Sequence, residues 1–306
     1  MRSINNNKPW LRWLANFSLL IIALVWGLTF VTVKNAINIL PPYSFNFLRF
    51  TMASLVMLGF ALPYRKKCSW KTIKAGLLIG VFLFSGYTFQ TIGLLYTSAS
   101  NAGFITGLSV VLVPLMITVS SREIPRLGVL LGVISATIGL SLLTINESLS
   151  FNNGDVLIFF CAVSFALHII LVGKYALEHS TVWLVTWQIA TVAFLSGAFA
   201  FITEPRTMTL TPEVWQALVI TALFATCMAF FLQNYMQRFT TACHTAIIFS
   251  TEPVFAAFFA VLLLQEILSV KAYWGGAFIL AGMLLAELKS PSVVKNNNTF
   301  SSANHK

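Results

Sequence analysis

Charge is what this sequence has least of. Only 9% of its 306 residues are charged, and acidic residues number 9 against 19 basic ones. A soluble domain of this length carries about a quarter charged residues, so the polar surface that keeps a domain in water is missing. Metal and disulfide patterns are missing too. Cys68, Cys161, Cys227 and Cys243 show no CxxC spacing and are read as small apolar fillers, with no disulfide framework and no metal site. The acids and histidines are scattered, without HExxH or GxSxG, so no enzyme is expected. A GxxxxGK[ST] loop is absent, which excludes an ATP motor within the chain, and no cofactor is implied.

Apolar residues fill the space that charge leaves. They make up 58% of the chain, and the mean hydropathy is +0.83. The class is an all-α integral membrane protein whose first partner is the lipid bilayer. A net charge of +10 taken alone would suit nucleic acid. The basic residues sit between apolar segments, however, as membrane orientation signals do, so no nucleic-acid partner is expected. The N-terminus has the basic flank of a signal peptide, MRSINNNKPWLRW, but the apolar run after it continues to Val33 without an A-x-A-like cleavage site. It reads as a first spanning helix that stays attached.

A span needs about 20 mainly apolar residues. Ten segments qualify: 15–33, 43–62, 73–95, 99–119, 127–145, 155–173, 181–202, 214–237, 242–264 and 271–288. The connections are too short to hold a soluble domain. Residues 1–14 are expected to form a cytoplasmic N-terminus, and 289–306 (KSPSVVKNNNTFSSANHK) a disordered cytoplasmic tail. With ten alternating spans and the N-terminus inside, 15 basic residues fall on the cytoplasmic side. Only Lys34, Arg206 and Lys271 fall outside, and Arg49 lies within a span. That asymmetry favours both termini in the cytoplasm.

The spans also repeat. ALVWGLTFVTVK (23–34) aligns with AVSFALHIILVGK (162–174), pairing Trp26 with Phe165 and Thr29 with His168. QTIGLLYTSASNAGFI (90–105) aligns with QNYMQRFTTACHTAII (233–248), pairing Gln90 with Gln233 and Asn101 with His244. Residues 15–145 and 155–288 therefore read as two five-helix units. Because five is odd, the second enters the membrane from the opposite side. Such an inverted repeat places a site near the midplane that opens alternately to either face.

Four stretches carry a family resemblance: WGLTFVTVK in the first span, PPYSFNFLRF entering the second, TSASNAGFITGLSVVLVPL across the fourth and TEPVFAAFFAVLLLQE in the ninth. In their order and repeat spacing they resemble the EamA family of the drug/metabolite transporter superfamily, over about residues 15–288. The resemblance implies a ten-helix secondary carrier, often an exporter of amino acids or other small metabolites, in the cell membrane. One departure stands out. Pro114 comes several residues later than its alignment with Pro253 would place it, and the first half has no acid matching Glu252.

Glu252 and Pro253 stand side by side within the ninth span. Proline denies the carbonyl of Phe249 its helical partner, as Pro114 does that of Val110. Two spans are thus expected to kink and offer a backbone acceptor to a wet cavity, unless Ser or Thr neighbours satisfy it. A charged Glu252 facing lipid would cost about 3 kcal/mol, so it should face the bundle interior. There it would bind a cationic group, carry a coupling proton, or act as a structural acid. His168 reads as a core histidine or a proton relay. His244 is expected at the cytoplasmic end, solvated, and Arg49 is expected to snorkel outward or, as the alternative, to bind an anionic group. Gly86, Gln90 and Gly93 share a face with Tyr87 beside them, so Gln90 and Gln233 are either interhelical contacts or a pair of amides for a polar solute. Trp26, Thr29 and Phe30 share another face and would line a cavity. Asn101 is read as a helix cap.

The sequence alone therefore points to a carrier of small organic solutes, probing Trp26, Thr29, Tyr87, Gln90, His168, Gln233 and Glu252 as substrate contacts and Pro114 and Pro253 as gating kinks. Amino acids come first as substrate, with protons as a candidate coupling ion. Hydrophobic cations are the alternative, and a membrane sensor without transport is a weaker one. A monomer and a homodimer are equally compatible with the sequence.

Overall fold

A computed structural model describes residues 9–97, 99–121, 125, 127–144, 153–205, 210–264 and 270–287. Every regular element among them is helical. Hydrocarbon offers the backbone no water, so a chain this apolar must pair its peptide groups within each segment. The helices are α1 (Pro9–Ile37), α2 (Pro42–Ala61), α3 (Trp70–Tyr96), α4 (Ala99–Gly107), α5 (Ser109–Ser121), α6 (Leu127–Thr144), α7 (Asn153–Tyr175), α8 (Thr181–Thr203), α9 (Pro212–Ala222), α10 (Ala229–Met236), α11 (Ala242–Phe249), α12 (Glu252–Leu264) and α13 (Val270–Glu287). A π turn, Leu223–Met228, joins α9 to α10.

Local chemistry starts these helices where polar caps precede apolar runs. The Ser69 hydroxyl accepts from Thr72 N–H at the head of α3, Thr211 from Val214 N–H at α9, and Thr241 from His244 N–H at α11. Helix α2 begins Pro41-Pro42, with proline at its first turn. Its cap comes from elsewhere: the carboxylate of Glu204, just past α8, accepts from Tyr43 N–H, Ser44 N–H and the Ser44 hydroxyl, each at 2.7 Å.

Polarity runs inside out. Phe194, Phe201 and Ile202 are more than 70% exposed, whereas Asn46, Gln188, Gln233 and Asn234 are fully buried. This suits a surround of lipid, where polar side chains gather between helices. Six helical stretches are each long and apolar enough to cross a bilayer, namely Trp10–Ile37, Pro42–Lys67, Trp70–Tyr96, Asn153–Tyr175, Thr181–Thr203 and Pro212–Met236. The remaining expected spans are not among these six. The fourth and ninth are each broken into two helices. The fifth and tenth, α6 and α13, have 18 residues each, about 27 Å at the usual rise, close to the roughly 30 Å of a hydrocarbon core.

Helix packing pairs like with like. The second expected span (α2) packs on the seventh (α8), and the fifth (α6) on the tenth (α13). The third (α3) packs on the sixth (α7), as the first (α1) does on the eighth (α10). The seam between α6 and α13 is close to a backbone contact. A Cβ at Gly139 would lie 2.5 Å from the carbonyl oxygen of Gly275, and one at Gly282 would lie 2.6 Å from that of Gly132. A shift of 143 residues, the same as between Gln90 and Gln233, takes Gly132 to Gly275 and Gly139 to Gly282. Each contact is the exchange of the other, the signature of a two-fold relation.

The fourth and ninth spans break at positions related by that same shift. Leu108 is the turn between α4 and α5, and Ser250-Thr251 the turn between α11 and α12. Beside Pro253 the outcome follows expectation. Thr251 N–H bonds Ile248 in a tightened turn, and the Ser250 and Thr251 hydroxyls donate to the carbonyls of Ile247 and Ile248. In the first half the expectation fails. The chain breaks six residues before Pro114, which sits inside α5. Leu108 N–H turns back to Ile105 and α5 restarts on the carbonyl of Leu108, so this break needs no proline.

Candidate functional site

Both breaks border one cavity. Gly107 and Ser109 flank the first, Phe249, Glu252 and Pro253 the second. The cavity has about 790 Å³ of empty space, its open mouth included. Trp26, Thr29, Tyr87, Gln90, His168, Gln233 and Glu252 all line it, as does Pro253; Pro114 does not. The repeat-related pairs Trp26 and Phe165, Thr29 and His168, and Gln90 and Gln233 therefore meet around one space.

Each residue is held differently. Trp26 donates through Nε1 to the Ala225 carbonyl at 2.9 Å, and its ring meets those of Phe230 and Phe249. Thr29 donates back to the Trp26 carbonyl. His168 is buried, with Nε2 3.0 Å from Gln188 Oε1 and its ring edge-on to Phe230. With that oxygen as acceptor, Nε2 carries the proton. Gln233 is fully buried, reaching Gln237 only at 3.5 Å, and its Oε1 has no partner. Gln90 and Glu252 make no side-chain hydrogen bond among the described residues, and both are partly open to the cavity. The seam beside Gln90 is tight: a Cβ at Gly86 would strike the Phe165 ring.

Two sequence expectations are corrected. Arg49 does not snorkel. It is 3% exposed and lines the cavity, because the interior supplies acceptors that a surface exit would forgo. Nε donates to Thr226 Oγ1 at 2.8 Å, and Nη2 reaches Tyr87 OH at 3.3 Å and the Ala225 carbonyl at 3.5 Å. The guanidinium also sits 4.7 Å from the Tyr87 ring centre. His244 is not solvated either: it is 6% exposed, with Nδ1 2.7 Å from the capping hydroxyl of Thr241. The side chain of Asn101 lies outside the described residues, as do residues 1–8 and 289–306.

The π turn explains Arg49. A π turn leaves backbone carbonyls without their usual helical donors and is a frequent mark of functional sites. Here Ala225 offers its carbonyl to Trp26 and Arg49, and Thr226 offers its hydroxyl to Arg49. Sequence reading missed both, since no residue pattern marks a π turn. The available signal was Arg49 itself, an unsatisfied cation two turns into an apolar segment.

Comparison with known proteins bears on what such a cavity serves. The EamA-like transporter family matches the chain twice, over residues 13–145 and 152–288. A protein of Archaeoglobus fulgidus named as an uncharacterized transporter is 38% identical over 275 residues, covering 90% of this chain and 86% of its own. The uncharacterized transporter YyaM of Bacillus subtilis is 27% identical, covering 74% and 79%. A solved crystal structure shares the fold at TM-score 0.75 with 19% identity, covering 90% of this chain and 96% of its own.

Proposed function

The chain belongs to the EamA-like transporter family, a membrane transporter rather than an enzyme, and we propose that it works as a secondary carrier exporting small organic metabolites, amino acids first among them, by alternating access across the cell membrane. The observation that carries this reading is the pair of related helix breaks, at Leu108 and Thr251, bordering one cavity from both halves. Broken helices facing each other across a two-fold relation suit a site that opens first to one side and then to the other. The charge asymmetry of the loops supports ten spans, two inverted repeats (15–145 and 155–288) and cytoplasmic termini.

Within the cavity Gln90, Gln233 and Tyr87 would meet polar groups of the solute. Trp26, with Thr29 beside it, would meet its apolar part. Glu252 would hold a cationic group or a coupling proton, with His168 as a possible relay, and Pro253 keeps the ninth span open beside it. Pro114, away from the cavity, keeps only an indirect gating role. A second reading, efflux of hydrophobic cations, draws on Glu252 lying among Trp26, Phe165, Phe230 and Phe249.

Efflux from proteoliposomes loaded with mixed amino acids, metabolites and cationic dyes, followed by mass spectrometry, tests the proposal. Selective loss of amino acids over protein-free vesicles is expected. Selective loss of the dyes would favour the second reading, and no loss of any solute would remove the carrier.

A further inference from the structure

Arg49 and Glu252 bring opposite charges to one cavity without pairing with each other. Glu252 meets no cation among the described residues, and Arg49 no carboxylate. For buried charges this is costly, since each is left to neutral partners or to whatever fills the cavity. Arg49 is also only partly satisfied. Nε and Nη2 are engaged, and the Tyr87 ring fixes the guanidinium plane, but Nη1 has no acceptor. Arg49 lines the cavity, so a solute there lies within its reach.

The repeat sharpens the contrast. The shift of 143 residues places Ser109, another cavity residue, opposite Glu252. Arg49 and Gln188 each lie seven residues past the first residue of α2 and α8. Each charge thus faces a neutral counterpart in the other half. The first repeat contributes a guanidinium to the cavity and the second a carboxyl group.

We propose that Arg49 is the carboxylate anchor of the substrate, held in place by Thr226 and Ala225 of the π turn, and that Glu252 receives the ammonium group of the same molecule. This deepens the carrier reading and rests on it. The solute class it selects is a zwitterion, carrying a carboxylate and an ammonium group on one molecule. A lone cation leaves Arg49 unanswered, and a lone carboxylate leaves Glu252 unanswered. The planar guanidinium suits a carboxylate better than a lysine would, because two parallel N–H groups meet two oxygens.

The test needs no variant to begin. Proteoliposomes of the full chain are loaded with phenylalanine, its amide (which lacks the carboxylate) and 3-phenylpropionate (which lacks the amine), together with the matching leucine set. The amino acids are expected to leave at least about tenfold faster than either analogue, because a site built for a group rejects the molecule lacking it. Arg49→Gln and Arg49→Lys then shift the choice: the amide gains on the amino acid, most in Arg49→Gln. Glu252→Gln shifts it the other way, toward the carboxylate-only analogue. If the amides leave as fast as the amino acids from wild-type vesicles, the carrier stands and the anchor is overturned. If amino acids keep their preference in a folded Arg49→Gln, Arg49 merely braces the π turn and the anchor is likewise overturned. If no solute leaves, the carrier reading falls and takes the anchor with it.

Discussion

Gly27 of α1 lies so close to Glu252 that a Cβ built on it would fall 2.8 Å from the Glu252 carbonyl oxygen. The next nearest atoms, the amide nitrogen of Ala256 and Cβ of Phe255, would be 2.9 Å away. Two of the three are backbone, so they cannot swing aside. The first helix of one half is thus seated on the restart of the broken helix in the other.

Gly27→Ala should push α1 from α12 and cost about 1–3 kcal/mol, the range for overpacking a filled interface. Gly27→Leu should cost more and abolish transport. Thermal unfolding in detergent beside efflux in vesicles checks this. A Gly27→Leu protein of wild-type stability would show that the contact is not made.

The exchanged contacts at Gly139 and Gly282 predict paired effects. Gly139→Ala and Gly282→Ala should each lower stability by about 1–3 kcal/mol, and by similar amounts, since each meets a carbonyl oxygen of the other helix. Chemical or thermal denaturation of the two variants decides it. A silent change at one position with a severe one at the other would break the two-fold relation of α6 and α13.

Glu204 accepts three hydrogen bonds at the head of α2. Glu204→Ala should destabilise the protein by about 1–3 kcal/mol, the cost of leaving such donors without a charged acceptor. Glu204→Gln should recover part of it. Unfolding curves of the two variants, run side by side, read the difference.

Thr226→Val removes the oxygen that takes the Arg49 Nε–H at 2.8 Å. A hydrogen bond to a charged group is worth about 1.5–3 kcal/mol, and the loss should appear in both stability and transport. Trp26→Phe, which leaves the Ala225 carbonyl without its 2.9 Å donor, should cost less, about 0.5–1.5 kcal/mol. A reversal of that order would mean that the π turn is braced by Trp26 rather than by Arg49.

The sequence showed the helices and the cavity wall more clearly than the breaks. Six long apolar helices were legible because hydrocarbon fixes how long an apolar run must be. The bounds expected for the sixth and seventh, 155–173 and 181–202, fall within two residues of Asn153–Tyr175 and Thr181–Thr203. Trp26, Gln90 and Gln233 were legible through the repeat, which equates positions without any knowledge of distance. Arg49 was not, because its acceptors, Ala225 and Thr226, lie 176 and 177 residues away. The break at Leu108 was hidden for a different reason: proline announces a break in sequence, whereas a turn imposed by packing does not. His244 misled because a histidine near a helix start reads as solvated until the capping Thr241 hydroxyl is seen against its ring.

Gln90 offers the most direct test of alternating access, since it lines the cavity without a side-chain hydrogen bond to any described residue and its replacement should leave the fold intact. In a Cys68→Ser background, Gln90→Cys in oriented vesicles is exposed to a membrane-impermeant thiosulfonate reagent, from one face and then from the other, and modification and amino-acid efflux are followed together. The carrier account predicts that the thiol reacts from either face and that efflux stops once it has reacted. Reaction from one face only, whatever solute is present, or full efflux through a modified cavity, would contradict it.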